Sequence, residues 1–85
     1  MKEFTYAIKD PMGLHARPAG LFVKAAAGFP CNVTVATPNG KADAKRIMAV
    51  MRLAAKQGDV LTVTCDGADE AKAATELQAF LAANI

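Results

Sequence analysis

The chain has 85 residues, a formal net charge of +2, and 53% hydrophobic against 21% charged residues. That is enough for one small globular domain and too apolar for a disordered tail, while so slight a charge excess gives no argument for nucleic-acid binding. The apolar runs fall well short of the ~20 residues a membrane span needs and no charged segment leading into an apolar one opens the chain, so no membrane insertion and a cytoplasmic location are expected.

Glu3–Ile8 alternates, with Phe4, Tyr6 and Ile8 on one face, and is predicted as a first strand. Asp10-Pro11-Met12-Gly13 is turn chemistry that leads to His15. From Ala19 to Ala27 the apolar spacing is helical. Leu21, Phe22, Ala25 and Ala26 share one side, Ala16, Gly20, Lys24 and Ala27 another, and Gly28 is placed to cap the C-terminus. Gly20 costs this helix ~1 kcal/mol relative to alanine. It leaves room for a partner's surface or for close packing against another element, or it stands there by chance.

Asn32–Thr37 reads as a second strand with Cys31, Val33 and Val35 inward. Pro38-Asn39-Gly40-Lys41 predicts a hairpin through an Asn-Gly type I′ turn, and Lys41–Asp43 pairs back as a short edge strand. The helix over Arg46–Leu53 is apolar on more than one side. Val50, Leu53 and Ala54 group as its core face, and Ile47, Met48 and Met51 either complete the core or form an adaptable contact surface. Gln57-Gly58-Asp59 turns into a fourth strand, Val60–Cys65. After Asp66-Gly67-Ala68-Asp69, a last helix opens with Asp69 and Glu70 in its first turn and buries a stripe of Ala73, Ala74, Leu77, Phe80 and Leu81.

The order is βαββαβα. It predicts an α+β domain in which a four-stranded antiparallel sheet carries three helices on one face. Pattern alone does not separate an open-faced β-sandwich from a ferredoxin-like split βαβ arrangement. Two cysteines are too few for a disulfide framework, and a single histidine leaves no zinc set. Reduced core thiols are expected, with one Cys31–Cys65 bridge left open, and neither a metal nor a cofactor is implied.

Chemistry concentrates in Gly13-Leu14-His15-Ala16-Arg17-Pro18. His15, the one histidine, stands at or near the N-cap of the first helix. A histidine ring offers a neutral, nucleophilic nitrogen near pH 7. A helix start offers unpaired backbone N–H groups and the positive end of the dipole, and Arg17 adds a planar cation suited to phosphate oxygens. Pro18 suits the first turn, where its missing N–H costs nothing, and Gly13 lets the backbone approach closely. Such a group can receive a phosphoryl anion.

Gly13-Leu14-His15-Ala16-Arg17-Pro18-Ala19 resembles the active-site signature of the HPr family, the histidine-containing phosphocarriers of the bacterial phosphoenolpyruvate-dependent sugar phosphotransferase system. The resemblance continues through Phe22-Val23-Lys24-Ala25, Asn39-Gly40-Lys41, Lys45, Ile47-Met48-Ala49-Val50-Met51, Gln57-Gly58 and Gly67-Ala68-Asp69-Glu70, so it spans the chain as a single HPr-like domain, residues 1–85. It implies the open-faced β-sandwich. It also implies that His15 accepts phosphate through Nδ1 from phosphorylated enzyme I and passes it to a sugar-specific IIA component, and that Arg17 and the backbone N–H groups of Ala16 and Arg17 stabilise the anion. Ala16, Gly20, Lys24, Ile47, Met48 and Met51 would be the docking surface of a monomeric carrier that turns over only with its partner enzymes.

Arg17, Lys24, Lys41, Lys45, Arg46, Arg52 and Lys56 face one acid, Asp43, in the segment 17–56, so the half bearing His15 is expected to be electropositive and to suit acidic partners. Many HPr proteins of Gram-positive bacteria have a phosphorylatable serine immediately before the Ile-Met pair. Arg46 occupies that place, which removes phosphoserine regulation there. A regulatory paralogue of a nitrogen-type phosphotransfer chain fits the same residues. A ferredoxin-like binding module fits poorly, because an RNA-binding sheet needs exposed aromatics where Thr34, Ala36, Thr62 and Thr64 stand.

Overall fold

The computed structural model describes residues 1–85. Its elements follow the expected order, β1 (Lys2–Ala7), α1 (Ala16–Ala27), β2 (Asn32–Thr37), β3 (Gly40–Asp43), α2 (Ile47–Arg52), β4 (Val60–Asp66) and α3 (Glu70–Asn84). The strands form one antiparallel sheet in the order β1-β4-β2-β3, which leaves β1 and β3 as edges. This is the open-faced arrangement. The helices gather over one face: α3 packs on β1 and β4, α2 on β3, and α1 against both other helices.

Period-two patterning sets the sheet's two faces. Val63 stands opposite Phe4 on one side and Val35 on the other, and Cys65 stands opposite Val33. Leu61, Val63, Cys65, Val33 and Val35 are all buried beneath the helices. The other face is polar, with Thr34, Thr62 and Thr64 half-buried and the Thr64 hydroxyl donating to Glu3 Oε2 at 3.3 Å. Phe22 of α1 is fully buried and meets Phe80 of α3 at a ring-centroid distance of 6.2 Å. Burial of a ring of this size contributes ~2–3 kcal/mol, so this contact fixes α1 against α3. Ala73, Leu77 and Leu81 form the buried stripe of α3, flanked by half-buried Ala74 and Phe80. Cys31 and Cys65 are buried free thiols, and burial raises the pKa of Cys65 above the ordinary thiol value.

Several local expectations are corrected. Leu21 is 44% exposed while Pro18 and Ala19 are buried, so the buried side of α1 lies further round the helix than the apolar spacing suggested. Gly28 is the C-cap of α1, as expected, but in a right-handed conformation, φ −74°, with its N–H donating to Ala25 at 3.2 Å. A tightened last turn caps the helix, and glycine's left-handed freedom is not used. In the β2–β3 hairpin Thr37 pairs with Gly40, so the connecting residues are Pro38 and Asn39. Proline fixes φ near −65°, which excludes type I′, and the positive φ falls on Gly40 at 141°. Asn39 is used differently: its N–H donates to Thr37 Oγ1 at 3.1 Å and its Nδ2 to the carbonyl of Leu53 at 3.0 Å, tying the hairpin to the end of α2.

The helical part of α2 is shorter than Arg46–Leu53, with Arg46 as N-cap and Leu53 as C-cap. Ala54 leaves the core because its φ of +49° turns the chain away from the helix, and Ala55 is buried in its place. Asp69 is the N-cap of α3 rather than part of its first turn, at φ +60°, a conformation aspartate tolerates better than most residues. Glu70 begins the helix and accepts the Gly67 N–H at 3.1 Å.

Candidate functional site

The site is set by how the chain enters α1. Gly13 takes φ +68°, and its N–H donates to Asp10 at 2.8 Å. Leu14 is buried and its N–H donates to the carbonyl of Ala55 at 3.0 Å. That bond anchors the entry to the segment after α2. His15 is then the N-cap residue in extended conformation, φ −91° and ψ −179°, and its carbonyl accepts the Ala19 N–H at 2.9 Å. Its side chain makes no capping bond, so neither ring nitrogen is tied to the helix start.

The N–H groups of Ala16 and Arg17 have no partner within the chain, and no acid stands in the first turn of α1 to neutralise the dipole. Pro18 brings no N–H of its own. The start of the helix therefore offers two free donors and a positive dipole end beside the imidazole. His15, Arg17, Pro18 and Leu21 line an open cleft of about 300 Å³ together with Asp10 and Asn84. Arg17 is exposed and in no salt bridge, so its guanidinium is free to meet an anion.

Four lining residues, Asp10, Pro18, Leu21 and Asn84, lie outside the predicted site residues, and two of them come from outside α1. Asp10 places Oδ2 3.7 Å from His15 Nε2. The Asp-Pro pair signalled only a turn, so proximity to the ring was not legible. Asn84 comes from the last turn of α3, 69 positions after His15. No local pattern points to it.

The remaining predicted residues do not line this cleft. Ala16 and Lys24 are exposed and Gly20 is half-buried on α1. A β-carbon on Gly20 would meet nothing within 4 Å, which rules out close packing within the chain as the reason for glycine. Met48 is 66% and Ile47 38% exposed. They line a shallow groove with Lys45, Arg46, Ala49 and Arg52. Met51 is only half-exposed, packs against the core and does not line that groove. Lys45 is committed internally, donating from Nζ to the Phe29 carbonyl at 2.7 Å just beyond α1. Arg46 is open to solvent, with Nε 3.8 Å from Asp43.

The molecule is thus an open-faced α+β domain that presents an uncapped helix start with a histidine, two free amides and an arginine. Residues 2–83 match the family model described as the PTS HPr component phosphorylation site. The phosphocarrier protein HPr of Mycoplasma genitalium is 38% identical over 85 residues, covering 99% of this chain and 97% of that protein. A crystal structure of HPr-C-His from Thermoanaerobacter tengcongensis superposes with a TM-score of 0.93 at 42% identity, covering 99% of this chain and 94% of the other. An HPr dimer from the same organism gives a TM-score of 0.77 at 42% identity, covering 98% and 95%. The chain belongs to the HPr family of phosphocarrier proteins of the phosphotransferase system. No helix is long and apolar enough to cross a membrane.

Proposed function

We propose that residues 1–85 act as one carrier domain in which His15 takes a phosphoryl group from phosphorylated enzyme I and delivers it to a sugar-specific IIA component. The observation that carries this reading is the uncapped His15 ring beside two partnerless amides, at Ala16 and Arg17. In the forward step the Nδ1 lone pair forms the N–P bond while the bond from phosphorus to the donor's leaving atom breaks, and that atom keeps the electron pair. The Ala16 and Arg17 amides and the Arg17 guanidinium stabilise the transferring oxygens. The reverse geometry serves delivery, so the protein turns over only with its partners.

Docking falls to Ala16, Gly20 and Lys24 on α1 and to Ile47, Met48 and Met51 on α2. Apolar exposure ringed by Lys24, Arg46 and Arg52 suits a partner with an apolar centre and an acidic rim. With Arg46 at the N-cap of α2, that rim stays cationic and has no hydroxyl to be phosphorylated.

The test is incubation with phosphoenolpyruvate and a bacterial enzyme I, read by intact mass. The expected result is a gain of one phosphate that is lost in acid and absent from the His15→Ala protein. That variant should remain folded, because the His15 side chain makes no cap bond and is partly exposed. Absence of any adduct, with an enzyme I proven active on another HPr, overturns the reading.

A further inference from the structure

We propose that Asp10 is a positioning residue for His15, holding the proton on Nε2 so that the Nδ1 lone pair is the one offered to phosphorus; this rests on His15 being the phosphoryl acceptor. Asp10 is itself rigidly placed. Its N–H donates to Ile85 at 2.7 Å, its carbonyl accepts the Gly13 N–H at 2.8 Å, and its Oδ1 accepts the Met12 N–H at 2.9 Å. With Oδ1 committed, Oδ2 is the free oxygen, and it stands 3.7 Å from His15 Nε2. Both side chains are only about one-third exposed or less, at 35% and 27%, and both line the same cleft as Arg17.

Chemistry assigns the roles of the two nitrogens. A neutral imidazole carries its proton on one nitrogen, and the group facing the other sets which one. A carboxylate only accepts, so it favours N–H on the nitrogen it faces, as the aspartate of a catalytic triad does for its histidine. The 3.7 Å separation exceeds a formed hydrogen bond, and contacts of this kind tighten when the reacting group arrives. The placement is also electrostatically selective. Next to the acceptor nitrogen, the carboxylate would repel an incoming phosphoryl anion. On the Nε2 side it offsets the positive charge that the ring gains as the N–P bond forms, and Nε2 keeps its proton throughout.

Asp10→Asn is the informative variant. The amide oxygen must still accept the Met12 N–H, which leaves the NH₂ group facing Nε2. A donor there favours the lone pair on Nε2 and moves the proton to Nδ1. The measurement is the pair of imidazole ¹⁵N shifts of His15 at about pH 8.5, where an ordinary imidazole is neutral, together with the rate of phosphorylation by enzyme I. We expect the Nε2–H tautomer in the parent protein, a shift toward Nδ1–H in the variant, and phosphorylation slowed about tenfold. Asp10→Ser, which keeps an acceptor for Met12 and removes the carboxylate, serves if the asparagine variant does not fold. Its His15 should lose the bias without reversing it. An unchanged tautomer in the variant that folds, or slower phosphorylation without a tautomer change, overturns the role. A parent protein that is never phosphorylated overturns the carrier reading instead, and the nitrogen shifts still decide what Asp10 does.

Discussion

A β-carbon on Gly13 would lie 2.4 Å from the carbonyl oxygen of Ala55 and 2.8 Å from Cα of Lys56. The loop that delivers His15 therefore runs directly against the backbone that follows α2, and the Leu14 N–H closes the contact by donating to the same Ala55 carbonyl. Helix α1 takes its starting point from a segment about 40 positions away in the chain.

Gly13→Ala is expected to be costly, because the side chain meets backbone on both counts. A positive φ costs an alanine ~1–2 kcal/mol, and displacing packed backbone adds ~1–3 kcal/mol. A loss of ~3 kcal/mol lowers Tm by roughly 15 °C in a domain of this size. Thermal unfolding by circular dichroism measures it, and an unchanged Tm would show that the loop moves away freely.

Met48→Glu separates docking from stability. The side chain is 66% exposed, so the expected change in stability is within ~0.5 kcal/mol, or about 3 °C in Tm. A negative charge in the middle of an apolar patch ringed by cations should raise the apparent KM for an acidic donor protein about tenfold, the scale of one lost interface contact. A large fall in Tm with transfer unchanged would place Met48 in the core's service instead.

The Glu70 carboxyl titrates below its ordinary 4.5, chiefly through its hydrogen bond with the Met1 ammonium and then through the Gly67 N–H. The ammonium titrates above its ordinary 8.0, chiefly through the same bond. A depressed carboxyl pKa stabilises above 4.5 and is lost as pH falls through the lower folded value. A raised ammonium pKa stabilises below 8.0 and is lost as pH rises through the higher folded value. The Tm gap between the parent and Glu70→Gln should therefore be small and flat from about pH 5 to 7.5 and narrow on both sides. A gap that keeps growing below pH 4 contradicts this.

Helix and strand order were legible because amphipathic periods are local. Phe4 and Tyr6, Val33 and Val35, and Leu61, Val63 and Cys65 each announce a face within a few residues, and the sheet uses those faces. Turn conformation was less legible. Asn39-Gly40 has a hairpin signature, yet Pro38 shifts the connection by one residue and frees the Asn39 side chain to reach Leu53. Likewise nothing in Leu53-Ala54-Ala55 signals that Ala54 takes a positive φ and turns outward.

By itself the sequence determined that one histidine, followed by an arginine and a proline, stands at a helix start, since helix periodicity and first-turn preferences act over a handful of neighbouring residues. Only the tertiary structure decided what surrounds that histidine. Ala55 fixes its entry, Asp10 faces its Nε2, and Asn84 lines the cleft from the end of α3. The physical reason is that these neighbours are brought together by burial of Phe22, Leu77 and Leu81 between helices and sheet. The hydrophobic effect that drives this burial is non-directional and leaves no mark beside His15 in the chain.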